Sequence, residues 1–211
     1  MTTLIKICGL SAPDTMDAAL EAGAAFVGLV FFAKSPRNVT LKQAKTLAAH
    51  ARGRAKIVTL VVDADNTLLD AIAGDVAPDL FQAHGKETPE RLAEIKKLTG
   101  IPAYKALRVA SVEHVKAAQA FVSSPFILYD ALPPEGAVLP GGNGLAFDWT
   151  ILKDAETPFM LAGGLTPENV GEAIRVTGAA MVDVSSGVES SPGVKDAKLI
   201  AKFIEAAKAA S

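Results

Sequence analysis

Short runs of apolar residues alternate with longer segments whose apolar positions recur every three or four residues, and the alternation persists to the C-terminus. The runs predict strands at residues 4–8, 26–31, 56–62, 80–82, 102–107, 126–130, 159–162 and 181–185. They are short, bounded by Gly, Pro or Asp, and often apolar throughout, as parallel strands covered on both faces should be. The segments between them open with helix-start signals. Ser11 precedes Asp14, and Thr40 stands three residues before Gln43 in the capping-box pattern. Thr88-Pro89-Glu90 and Thr166-Pro167-Glu168 each offer a capping hydroxyl, a proline suited to the first helical position and an early acid. The last helix carries Ile200, Phe203, Ile204 and Ala207 on one face, with Lys198, Lys202 and Glu205 largely opposite.

Eight strand-then-helix units leave two architectures: a closed (β/α)8 barrel of parallel strands or an open doubly wound sheet. At roughly 25 residues per unit, 211 residues fit eight units near the lower size limit of such barrels. An open sheet would tend to place a Gly-rich turn after its first strand, and here a single Gly9 follows. The pattern therefore predicts one α/β domain, residues 1–211, built as a TIM barrel. Its longest irregular stretch, 131–148, is rich in Gly and Pro and reads as a functional loop after strand six.

Composition narrows the function. A formal charge of −2 gives no broad positive field, so neither nucleic acid nor an anionic membrane is expected as a partner. One cysteine rules out an internal disulfide and any Cys-rich zinc site, and it fits a reducing compartment. No apolar stretch reaches the roughly 20 residues of a membrane helix, and the N-terminus lacks a signal-peptide pattern. A cytoplasmic protein is expected, as a monomer rather than a dimer.

In such a barrel, chemistry belongs at the C-terminal ends of the strands. Those ends carry Cys8, Lys34-Ser35-Pro36-Arg37, Gln82 and His84, Arg108, Asp130, Gly163-Gly164, Asp183 and Ser185-Ser186-Gly187. The last two turns, on adjacent strands seven and eight, are the recurrent barrel site for phosphate, where backbone N–H groups cradle the anion. Glycine there also serves simply to turn a strand into a helix. Period-two alternation sends Ile5 and Ile7 toward the helices and Lys6 and Cys8 into the barrel, with Cys8 at its mouth. Asp130 lies three strands round the ring, so the two could flank a substrate as base and acid. By the same parity, Lys6 and Asp183 should form an ion pair inside the barrel, because a buried charge needs a partner. His50 and His114 fall in helices, and no helical ligand pair accompanies His84, so no metal is expected. Without a dinucleotide fingerprint, no other cofactor is expected either.

With these residues in view, the sequence resembles the phosphoribosylanthranilate isomerases of tryptophan biosynthesis. The matching blocks are Lys6-Ile7-Cys8-Gly9-Leu10, Gly28-Leu29-Val30-Phe31, Lys34-Ser35-Pro36-Arg37 and Gln82-Ala83-His84-Gly85. They continue through Gly141-Gly142-Asn143-Gly144, Phe147-Asp148-Trp149, Leu161-Ala162-Gly163-Gly164-Leu165 and the run from Val182 to Glu189. The resemblance implies an Amadori rearrangement without a cofactor: Asp130 as the acid that opens the furanose, Cys8 as the base at C2′, and Arg37 facing the anthranilate carboxylate with its two-pronged donor edge. Asp183 could also contact the ribose. A base of this kind requires a site that favours the Cys8 thiolate. Rival readings are a sugar-phosphate epimerase, an indole-glycerol-phosphate synthase-like enzyme with a strand-end lysine as its acid, or a barrel that only binds a phosphorylated ligand.

Overall fold

The computed structural model describes residues 2–121, 123–132, 147–153, 155 and 157–210. Eight parallel strands close into a barrel in sequence order: β1 Leu4–Cys8, β2 Phe26–Phe31, β3 Lys56–Val61, β4 Leu80–Ala83, β5 Ala103–Val109, β6 Ile127–Ala131, β7 Phe159–Leu161 and β8 Met181–Val184. Outside them run α1 Pro13–Ala22, α2 Leu41–Ala51, α3 Asn66–Asp75, α4 Pro89–Thr99, α5 Val112–Lys116, α6 Val170–Thr177 and α7 Ala197–Ala209. The (β/α)8 barrel expected from the pattern is the fold observed. None of the described helices is long and apolar enough to cross a membrane.

Alternation along each strand divides the buried apolar side chains into two bodies. Phe26, Val58, Tyr104, Ala106, Phe126, Leu128, Met160 and Ala162 fill the barrel interior. Ile5, Ile7, Val27, Leu29, Ile57 and Val182 face outward and pack with helix residues such as Leu47, Ile95, Ile174 and Phe203. Continuously apolar strands are needed because both faces are covered. Polar groups can then enter the interior only at the C-terminal mouth, or deeper if they satisfy one another.

The helix starts agree with the sequence at two places and differ at two. Thr40 forms the full capping box, accepting from the Gln43 N–H while the Gln43 side chain accepts from the Thr40 N–H. Thr88 accepts from the Arg91 N–H with Pro89 opening the helix. For α1, however, the cap residue is Ala12 rather than Ser11, because Pro13 takes the first helical position. Asp14 accepts from the Thr15 N–H one residue on. Thr166 caps a turn by accepting from the Glu168 N–H, and the helix proper begins after Asn169.

Strand limits move by one or two residues, so Arg108 lies within β5 rather than beyond it. A further element was not anticipated: a small antiparallel hairpin, β9 Glu189–Ser191 and β10 Val194–Lys195, inserted between β8 and α7. The Gly-rich block 141–144, and most of the loop 131–148, lie outside the described residues.

These caps can be tested in pairs. Thr40→Ala should cost about 1 kcal/mol in urea denaturation, the usual value of a capping hydroxyl. Ser11→Ala, which removes no cap, should leave the midpoint within experimental error.

Candidate active site

At the C-terminal mouth the strand ends enclose a cleft that opens to solvent. Its walls include every site residue inferred from the sequence: Cys8, Arg37, Asp130, Gly163, Gly164, Asp183, Ser185, Ser186 and Gly187. Gln82 and His84 line it as well, whereas Arg108 and Lys34 do not. Arg108 instead donates to the His84 carbonyl at 3.3 Å.

The floor is a chain of buried polar groups. The Lys6 ammonium donates to Asp183 Oδ1 and to Gln82 Oε1, each at 2.9 Å, which places the expected Lys6–Asp183 pair inside the barrel. The Cys8 sulfur lies near enough to this ammonium for the two to influence each other electrostatically. The Tyr104 hydroxyl also donates to Gln82 Oε1 at 2.8 Å. With Oε1 held by two donors, the Gln82 amide nitrogen must face His84, whose Nδ1 lies 3.0 Å away and accepts. The imidazole proton therefore sits on Nε2, 3.3 Å from Asp130 Oδ2 and off the line of a hydrogen bond. Asp130 Oδ1 accepts from the Ala131 N–H at 2.9 Å.

This arrangement sets the charges. Burial works against the Lys6 ammonium, yet Asp183 and the Cys8 sulfur hold its pKa above the ordinary lysine value. Burial pushes the Asp183 carboxyl up, and the adjacent Lys6 pulls it back. Burial likewise pushes the Cys8 thiol up, with Lys6 as the main opposing influence. The protein by itself thus favours the thiol, contrary to the expectation of a ready thiolate, because desolvation outweighs one nearby ammonium. Gly28 makes room for the sulfur: a Cβ there would lie 2.9 Å from Sγ and 3.0 Å from the Cys8 Cα.

The glycines of the strand-seven and strand-eight turns have distinct tasks. Gly163 (φ +86°) and Gly164 (φ +62°) occupy the left-handed region that other residues enter only at a cost. A Cβ on Gly163 would stand 2.4 Å from the Ala131 nitrogen, and one on Gly187 1.9 Å from the Leu165 carbonyl oxygen. Gly163 and Gly187 therefore let neighbouring loops lie on one another, a structural task the sequence did not separate from ligand contact. Ser186 and Gly187 open a single 3₁₀ turn, whose first N–H groups have no acceptor within it.

Two functional-site neighbours were missed. Arg37 is buried and its Nε and Nη2 donate to the two carboxylate oxygens of Glu189 at 2.7 and 2.8 Å. Lys195 donates to the same carboxylate at 2.5 Å and to the Ser185 carbonyl at 2.9 Å. One donor edge of Arg37 is thus already taken, leaving the edge formed by Nη1 and the second proton of Nη2. The overlooked signal was Pro192-Gly193 between two short polar runs, a turn dipeptide that closes the hairpin with Gly193 at φ +84°.

A closed barrel that gathers a thiol, a carboxyl and paired glycine turns in one cleft at the C-terminal ends of its strands has the layout of a (β/α)8 enzyme. Residues 5–206 match the family model of N-(5′-phosphoribosyl)anthranilate (PRA) isomerase. A protein of that name from Rhodopseudomonas palustris (strain BisA53) is 54% identical over 97% of this chain and 95% of its own length. Another from Paramagnetospirillum magneticum is 51% identical over 99% and 98%. The crystal structure of phosphoribosyl anthranilate isomerase from Thermotoga maritima superposes with a TM-score of 0.88 at 33% identity, covering 98% of this chain and 99% of that one. A 3-hexulose-6-phosphate synthase, at 15% identity and a TM-score of 0.62, shares the fold alone. The chain belongs to the phosphoribosylanthranilate isomerase family, an isomerase family of tryptophan biosynthesis.

Iodoacetamide alkylation of Cys8 should speed up with pH through a midpoint above that of an ordinary thiol, since burial raises it. In Lys6→Met the midpoint should move higher still. A midpoint below the ordinary range would contradict the electrostatics described.

Proposed function

We propose that Cys8 and Asp130 carry the Amadori rearrangement of N-(5-phosphoribosyl)anthranilate to 1-(2-carboxyphenylamino)-1-deoxyribulose 5-phosphate, with no cofactor or metal. The observation that carries this reading is the meeting of Cys8 from β1 and Asp130 from β6 in one cleft that also contains the turns after β7 and β8. Asp130 gives its proton to the furanose oxygen as the C1′–O bond breaks, and the anilino nitrogen's lone pair completes a protonated Schiff base. The Nε2–H of His84 lies on the side where the new carboxylate charge develops. Cys8 then takes the C2′ proton, and the C–H electrons flow into the iminium to form the enolamine. Tautomerisation moves the O2′ proton to C1′ and yields the ketone.

The iminium also answers the difficulty of the buried thiol. A positive charge formed beside the sulfur drives the thiol proton out to solvent through the open cleft, so that the thiolate is there to take the C2′ proton. Arg37 faces the anthranilate carboxylate with its remaining edge. Backbone N–H groups around Gly163-Gly164 and Ser185-Ser186-Gly187 hold the phosphate, and Asp183 contacts the ribose.

The rival enzymes fit less well. A synthase-like acid would need a strand-end lysine, but Lys6 is committed to Asp183 and Gln82, and Lys105 to Glu87 and two carbonyls. The enzyme is read as a cytoplasmic monomer with no nucleic-acid or membrane partner. Among the described residues the large exposed apolar side chains, Leu4, Leu98, Val112, Leu132 and Val194, come from separate parts of the chain, which supports the monomer. Light scattering tests that state.

Loss of phosphoribosylanthranilate fluorescence with purified protein tests the activity. Cys8→Ser and Asp130→Asn should each lower kcat by about 10²–10⁴-fold with little change in KM. Arg37→Ala and a bulky residue at Gly164 should chiefly raise KM. Near-full turnover by Cys8→Ser would make Cys8 a packing residue and end this mechanism.

A further inference from the structure

Arg37 does not stand alone at the edge of the cleft. It belongs to a buried three-charge cluster in which Glu189 binds one whole edge of the guanidinium and Lys195 binds Glu189 in turn. Two further features fix the Arg37 side chain. A Cβ on Gly9 would lie 2.7 Å from its Cδ, so glycine at that position lets the arginine stem lie flat on the backbone. The hairpin that carries Glu189 and Lys195 is seated just as closely, since a Cβ on Gly193 would meet the Pro36 carbonyl at 2.8 Å. The Gly193 N–H also donates to Glu189 Oε2 at 3.1 Å.

The charges do not cancel. Two cations and one anion leave one positive charge, and Arg37, with one guanidinium edge left without a partner among the described residues, lines the cleft. A neutral pair of Arg37 and Glu189 would offer a carboxylate little net attraction. An unpaired Arg37 would have charge but no fixed direction. Lys195 supplies the first and Glu189 the second. We propose that Glu189 and Lys195 are positioning residues that make Arg37 selective for a substrate carboxylate, Glu189 by aiming its free edge and Lys195 by leaving the cluster one net positive charge.

This inference rests on Arg37 facing the anthranilate carboxylate, and the variants must separate the two claims. In Glu189→Gln the volume is kept, but the new amide N–H₂ opposes the Arg37 and Gly193 donors, so the guanidinium must turn. Burial already holds the Lys195 ammonium below its ordinary pKa. With the anion gone, the cluster keeps at least the Arg37 charge, so a loss of preference in this variant measures lost direction and not lost attraction. Lys195→Met does the reverse, keeping direction and removing the surplus charge. Both changes sit close to the phosphate turn through Ser185. The readout must therefore be a ratio in which phosphate affinity cancels.

The experiment measures the inhibition constants of two stable probes on purified wild type, Glu189→Gln, Lys195→Met and Arg37→Met. One probe is the reduced product, 1-(2-carboxyphenylamino)-1-deoxyribitol 5-phosphate. The other is its phenylamino counterpart without the carboxylate. The preference for the carboxylate probe should fall at least tenfold in Glu189→Gln and Lys195→Met, with the carboxylate-free probe binding within about threefold of wild type. A preference that falls in Arg37→Met but is unchanged in the other two variants overturns this proposal and leaves Arg37 in its role. A preference unchanged in Arg37→Met overturns both, while turnover by wild type still stands as the measure of the isomerase itself. Should Lys195→Met not fold, Glu189→Gln decides the matter alone, since it replaces a single oxygen by nitrogen.

Discussion

Everything at the mouth of this barrel depends on one buried ammonium. Lys6 points into the interior because β1 must turn Ile5 and Ile7 toward the helices, and a lone charge there would cost several kcal/mol. The cost is met by hydrogen bonds to Asp183 and Gln82, with the nearby Cys8 sulfur also favouring the ammonium. Each partner is thereby fixed. Asp183 ties β8 to β1 at the point where the ring closes, with Lys6 and Asp183 in direct register. Gln82 has its amide direction set, and through it the tautomer of His84.

From that constraint follows a site with two unlike sides. On the β1 side the sulfur sits in a recess left by the bare backbone of Gly28, where burial favours the thiol. On the β6 side Asp130 accepts from a backbone N–H and has an imidazole N–H 3.3 Å away, groups suited to a carboxylate. Two groups in environments that differ this much can take opposite roles in one reaction without a metal. The glycine turns after β7 and β8 and the Arg37 cluster line the same cleft, built from loops that the barrel leaves free to vary.

Features governed by strand parity and ring closure were legible in the sequence. Cys8, Asp130 and Asp183 fall at strand ends, and the Lys6–Asp183 pair follows from parity once strand eight is placed beside strand one. Thr40 and Thr88 were legible because a cap is a local pattern. Ser11 was misread because Pro13 shifts the helix start by one residue, a choice of backbone rather than of side-chain pattern. The cluster of Arg37, Glu189 and Lys195 was out of reach for another reason. It joins residues 152 positions apart through a hairpin of two very short strands, in which only Pro192-Gly193 stands out. The elevated Cys8 thiol was equally hidden, since it is set by how much surrounds the sulfur. The separate tasks of Gly163 and Gly187 appear only when the neighbouring loops are seen in contact with them.

The division of labour between the two sides is tested most directly by isotope effects with substrate deuterated at C2′. If Cys8 removes that proton, Cys8→Ser makes C–H cleavage the slow step, and kcat for that variant should show a large primary isotope effect. Asp130→Asn is impaired earlier, at ring opening, so its kcat should show almost none. The reverse pattern, with the effect in Asp130→Asn and none in Cys8→Ser, would contradict the assignment of base and acid made here.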